Sequence, residues 1–162
     1  MTRGSDAALL DAWRDGDAAA GNELLRRHFQ SLYHFFFNKV EDVDDLVQIT
    51  MMAAVERHDQ IRDRASFRAY LLTIARRQLV EHWRRRGRIE RLEDLRGLSV
   101  TKLGITPSRL AETRQEERLL LQALRDVSVD HQTVLELYYW QELSVAELAQ
   151  VLEVAPGTIK SR

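Results

Sequence analysis

The sequence predicts an all-α protein made of two small helical domains joined by a linker. Three observations carry that expectation. Apolar residues recur at three- and four-residue spacing through most of the chain, and no segment alternates as a half-buried strand would. Gly16 falls where a helix should stop, and Pro107 and Pro156 where helices should start. One stretch, Arg96 to Thr106, has no sustained period and holds Gly97 and Gly104. At 162 residues the chain is long enough for one ordinary domain or two small ones.

Ser5 or Asp6 is placed to cap a first short helix carrying Ala8, Leu9, Ala12 and Trp13, which Asp15-Gly16-Asp17 breaks. A second helix is expected from Ala18 to Lys39, with Leu24, Leu25, His28, Phe29, Leu32, Tyr33, Phe36 and Phe37 on its apolar face. Asp42 is a plausible N-cap for a third, Val43 to His58, where acids also favour the positive end of the macrodipole. At 100° per residue Val43, Leu46, Val47, Thr50, Met51 and Ala54 gather on one side of that helix. Asp45, Gln48, Ile49, Met52 and Glu56 lie opposite. Ile49 and Met52 are then apolar residues on a polar face, either scattered surface hydrophobes or a docking patch.

The fourth helix, capped by Ser66, is the centre of the chain. Phe67, Tyr70, Leu71, Ile74 and Ala75 form one apolar stripe, and Leu72, Leu79 and Trp83 a second. A helix apolar on two sides is normally wedged between others. From Arg76 to Arg91 it carries seven arginines against Glu81 and Glu90, with Gln78, His82 and Trp83 among them. That end is either a solvated basic terminus complementing the macrodipole or a nucleic-acid contact surface.

Beyond the linker, Thr106-Pro107 reads as an N-cap followed by proline at the first helical position. The helix it opens, Ser108 to Asp126, should turn Leu110, Leu119, Leu120, Ala123 and Leu124 inward. Asp130 is placed to cap the next, containing Val134, Leu135, Leu137, Tyr138 and Trp140. Ser144 and Glu147 then make a capping box. Val145, Leu148, Ala149 and Leu152 supply an inner face, Glu153-Val154-Ala155 a tight turn, and Pro156 the start of a second short helix. That is the grammar of a helix-turn-helix, with Thr158, Lys160, Ser161 and Arg162 as groups able to reach phosphates and base edges.

Composition excludes several classes of function. Net charge is −1, so nucleic-acid binding must come from local patches. With no cysteine there are no disulfides, thiolate metal sites or cysteine nucleophiles. His28, His34, His58, His82 and His131 show no metal-ligand spacing, and neither a glycine-rich phosphate loop nor a nucleophile elbow appears. No enzymatic activity, cofactor or metal is expected. The N-terminus lacks the apolar run of a signal peptide and no stretch approaches membrane-spanning length, so a cytoplasmic protein without membrane insertion is expected.

Three motifs in order resemble the bacterial RNA polymerase sigma factors of the extracytoplasmic-function type, within the sigma-70 family. DVDDLVQITMMAAV, Asp42 to Val55, is similar to their core-polymerase-binding helix. FRAYLLTIARRQLVEHWRRR, Phe67 to Arg86, is similar to their promoter-melting, −10-reading helix. ELSVAELAQVLEVAPGTIKSR, Glu142 to Arg162, is similar to their −35-reading helix-turn-helix. The resemblance implies a region 2 type domain over 1–95, a linker over 96–106 and a region 4 type domain over 107–162, with a recognition helix shorter than the family's. It implies RNA polymerase core and promoter DNA as partners, and leaves an anti-sigma factor open as another. It assigns core binding to Asp45, Gln48, Ile49 and Met52. It assigns −10 recognition and melting to Tyr70, Arg76, Arg77, Gln78, His82, Trp83, Arg84, Arg85 and Arg86. The −35 contacts fall to Ser144, Pro156, Gly157, Thr158, Lys160, Ser161 and Arg162. Departures are specific. Ile49 stands for the usual glutamate, Met51-Met52 for Phe-Leu, Arg77 for a common asparagine, and Ala155 for a capping serine. A stand-alone helix-turn-helix regulator would explain Ser144 to Arg162 but leaves Asp42 to Arg91 without a role.

Overall fold

Ser5 caps α1 (Asp6–Arg14) by accepting from the Ala8 amide at 3.2 Å, and Asp17 caps α2 (Ala18–Phe37) through the amides of Ala19 and Ala20. These elements belong to a computed structural model that describes residues 4–61, 66–105 and 113–162. The described residues are helical apart from connections and one isolated bridge between Ser99 and Ser128. No helix among them is long and apolar enough to cross a membrane.

α1 folds back on α2 because Gly21 lets it. A Cβ at Gly21 would sit 2.5 Å from the indole of Trp13, so only a hydrogen there admits the ring. Trp13 in turn stacks on His58 at 4.4 Å and meets Phe67 edge-on at 6.5 Å, joining three segments. α3 (Val43–Arg57) buries Val43, Leu46, Val47, Thr50 and Ala54 and half-buries Met51, the face its periodicity marks. Asp42 occupies the N-cap position without a side-chain cap bond and pairs instead with Arg86 at 3.1 Å. On α2, Phe35 is buried although it lies off the expected stripe, while Phe29, expected inside, is exposed. The stripe had to be split because α2 packs against both α1 and the second half of the chain.

α4 (Phe67–Arg85), capped by Ser66 onto the Ala69 amide, is wedged as two apolar stripes require. It touches α2 and α3 on one side and the helix-turn-helix on the other. The connection after it is packed rather than loose. A 3-10 turn spans Leu92–Arg96, and Leu95, Val100, Leu103 and Ile105 are buried. Backbone bonds from Val129 to Leu98 (2.9 Å) and from Thr101 to Arg125 (3.1 Å) stitch it to the second half.

The second half comprises α5 (Gln115–Leu124), α6 (Val129–Tyr139), α7 (Val145–Leu152) and α8 (Pro156–Ser161). The cap expected at Thr106-Pro107, the helix start at Ser108 and the inward Leu110 lie outside the described residues. Of the other residues expected inward on α5, Leu124 is buried, whereas Leu119, Leu120 and Ala123 are exposed. α5 lies at the margin, and only its Leu121 and Leu124 side is covered. Asp130 is not the cap of α6. Ser128 is, accepting from the His131 amide, and Asp130 is buried in an ion pair. The Ser144–Glu147 capping box forms as its spacing requires, and Glu153 turns the chain in the left-handed region at φ 55°.

Candidate nucleic-acid interface

The polar face of α3 keeps Asp45, Gln48, Ile49 and Met52 in solvent, with Ile49 44% and Met52 55% exposed. Beside them runs an apolar groove of about 490 Å³ whose lining includes Phe29, Val47, Gln48, Met51, Met52 and Val55. Phe29, Met51 and Val55 escaped the sequence reading of this patch. Their signal lay in two helices at once, since Phe29 comes from α2 and the others from α3.

Along α4 the structure sorts the expected −10 residues into three groups and one buried exception. Arg84, Arg85 and Arg86 are exposed; Arg84 and Arg85 pair loosely with Glu81, and Arg86 with Asp42. Exposed pairs of this kind contribute about 0–1 kcal/mol and yield readily to a phosphate. Tyr70, Gln78 and His82 are half-buried along the same helix. Burial raises the Tyr70 phenol above its usual range, and burial followed by the Arg86 charge lowers His82, which is neutral at physiological pH. Trp83 is a correction. It is 1% exposed in the core, at the point where the second apolar stripe of α4 meets its neighbours, and offers no face to a base.

Arg76 and Arg77 form the third group, because both are engaged by the helix-turn-helix half. Arg76 is 5% exposed and donates to Asp130 at 3.0 Å. Arg77 pairs with Glu153, a hydrogen bond that raises its pKa further.

In the helix-turn-helix, Ser144, Pro156, Gly157, Lys160 and Ser161 are exposed and Thr158 is half-buried. Ala155 makes no side-chain cap, and Ile159 anchors α8 to the core. Arg162 is turned inward and donates to Asp130 at 3.1 Å. Glu147 serves two sites, accepting from the Ser144 amide at 2.8 Å and from the Ser66 hydroxyl at 2.7 Å. Burial pushes its carboxyl upward, but those hydrogen bonds outweigh it and hold the pKa below the usual value. Of the expected −10 and −35 groups, Arg76 and Arg162 thus meet on Asp130, while Arg84, Arg85, Arg86, Ser144, Pro156, Gly157, Lys160 and Ser161 stay exposed.

Comparison with known proteins places these features. Residues 23–89 match the family model for sigma-70 region 2, and residues 117–162 match that for sigma-70, region 4. The ECF RNA polymerase sigma factor SigL of Mycobacterium tuberculosis is 30% identical over 155 residues, covering 91% of this chain and 86% of that protein. RNA polymerase sigma factor YlaC of Bacillus subtilis is 29% identical over 135 residues, with 80% and 78% covered. Among solved structures, the sigma factor RpoE in complex with the anti-sigma factor NepR from Bartonella quintana superposes with a TM-score of 0.66 at 24% identity, covering 86% of this chain and 87% of that one. CnrH in complex with the cytosolic domain of CnrY superposes at 0.58 and 23% identity, covering 96% and 88%.

Proposed function

The chain belongs to the sigma-70 family, in its extracytoplasmic-function branch, and from that membership we infer that it is an RNA polymerase sigma factor. It directs the core enzyme to specific promoters and initiates transcription without catalysing a reaction itself. A stand-alone helix-turn-helix regulator is not favoured, because it leaves the region 2 match over 23–89 without a purpose.

The observation that carries the docking assignment is the exposed Ile49–Met52 patch beside the α2–α3 groove. Ile49 and Met52 are apolar side chains open to solvent, and Asp45 and Gln48 supply a polar rim. We assign core binding to these four residues. Promoter contact near the −10 element falls to Arg77, Arg84, Arg85 and Arg86 through phosphate, with Tyr70, Gln78 and His82 nearest unpaired bases. α8 enters the major groove at the −35 element, led by Thr158, Lys160 and Ser161 beside Ser144, Pro156 and Gly157. The cytoplasm, where the polymerase works, is its place. An anti-sigma protein completes the set of partners, on the pattern of the CnrH and RpoE complexes.

Ile49→Lys with Met52→Lys should abolish co-purification with core polymerase while leaving helical content unchanged. Undiminished co-purification of that folded variant would contradict the assignment.

A further inference from the structure

We propose that Asp130 is an internal substitute for DNA phosphate, latching the two DNA-reading helices to each other in a closed chain that must open to engage a promoter. One carboxylate oxygen of Asp130 accepts from Arg76 of α4 at 3.0 Å, and the other accepts from Arg162, just past α8, at 3.1 Å. This rests on the reading of α4 and α8 as promoter-facing. If both helices read DNA, the cations that would grip phosphate are taken up by a single side chain of the same protein.

The surroundings are rich in paired buried charge. The face between α2, α4 and α6 buries Lys39, Arg76, Asp130, Gln132 and Glu136. The basic members come from the first half of the chain and the acidic ones from the second. Lys39 pairs with Glu136, which also accepts from Gln132 at 2.9 Å, and Arg76 pairs with Asp130. Buried ion pairs add little net stability over apolar packing of the same volume, because desolvation offsets their attraction. Their use here is reversibility. On separation Lys39, Arg76, Asp130 and Glu136 become ordinary hydrated surface charges. Polar contacts recur along the seam beside the apolar packing of α4 on α7, with Ser66 on Glu147, Arg77 on Glu153, and Gln141 Nε2 on the Ser31 carbonyl at 3.2 Å. Phosphate competes directly for this arrangement, since a guanidinium fork fits a phosphate as well as it fits a carboxylate.

Two variants of the full chain test the latch. Asp130→Asn keeps the shape and removes the charge that holds both arginines. Binding of a labelled random-sequence single-stranded oligonucleotide should tighten several-fold, and its log–log salt dependence should steepen by about 1.4, the increment for two added phosphate contacts. The cysteine-free chain also permits a reversible lock: Ser31→Cys with Gln141→Cys, bridged by a short, disulfide-containing thiol crosslinker. The locked protein should bind the oligonucleotide weakly and initiate poorly with core polymerase, and reductant should restore both. Asp130→Asn that stays folded with unchanged affinity and slope overturns the latch. So does a locked chain that binds and initiates as well as its reduced form, and that result decides if Asp130→Asn unfolds. Absence of core-dependent initiation in every form, reduced and wild type included, removes the sigma-factor reading instead, and the oligonucleotide data then decide the latch.

Discussion

Lys39, just past the end of α2, and Glu136 of α6, 97 positions apart in the chain, form an ion pair whose side chains are 0% and 8% exposed. Lys39 also donates to the Phe35 carbonyl at 2.8 Å and sits 4.6 Å from the centre of the Phe35 ring. Lys39→Met removes the cation and strands Glu136. Breaking a buried pair from one side costs about 3–5 kcal/mol, capped here by the free energy of separating the two halves, which would rehydrate the carboxylate. Adding Glu136→Gln should recover more than half of the loss, because the amide oxygen still accepts from Gln132. Hydrogen exchange of the α6 amides reads both steps; equal losses in the single and double variants would contradict the pairing.

Gly21→Ala should destabilise the protein although alanine is the better helix former. The gain in propensity is about 1 kcal/mol, while forcing a methyl against the Trp13 indole costs about 1–3 kcal/mol. Urea midpoints check the sign. A shift to higher urea would show that α1 does not pack on α2 through Trp13.

Stability should fall as pH drops below about 6.5, the ordinary histidine value. Burial lowers His28, partly offset by Asp6, and burial followed by Arg86 lowers His82. Between the lowered folded value and the unfolded one, the unfolded chain binds more protons, so stability rises with pH across that window and is flat above it. Acid therefore imposes a penalty that becomes constant once both histidines are protonated in the fold. His28→Gln with His82→Gln should flatten the unfolding free energy through this window. Glu147, held by its hydrogen bonds below the ordinary carboxylate value, leaves a separate loss at more acid pH. An unchanged slope in the double variant would contradict the burial argument.

Arg84, Arg85 and Arg86 changed together to alanine should leave the helical content intact. Promoter binding should lose salt dependence by about 0.9 for each duplex phosphate contact removed. Permanganate reactivity of the melted strand should fall with it. Normal melting by the triple variant would remove these residues from the promoter surface.

Which of these features the sequence revealed depended on how far apart the interacting residues are. The division of α3 into a buried Val43–Leu46–Val47–Thr50 face and an exposed Ile49–Met52 face follows from one helical period, and the Ser144–Glu147 box from a three-residue spacing. Local rules erred where a distant partner intervened. Asp130 looks like a cap beside its own helix, yet Arg76, 54 positions away, draws it inward and Ser128 caps in its place. Phe35 and Phe29 exchanged roles because α2 is covered on a side that its own sequence does not mark. Lys39 and Glu136 leave no periodic trace at all. Trp83 was legible as part of an apolar stripe, and its burial follows from that stripe rather than from the basic residues around it.

The central claim, that this chain programs RNA polymerase, is tested most directly by mixing it with core polymerase and a promoter library and sequencing the transcript 5′ ends. The account predicts transcripts that appear only when the chain is added, start at defined positions, share upstream elements, and disappear with Ile49→Lys/Met52→Lys. Transcripts identical with and without the chain, under conditions where a known sigma factor redirects the same core enzyme, would contradict it.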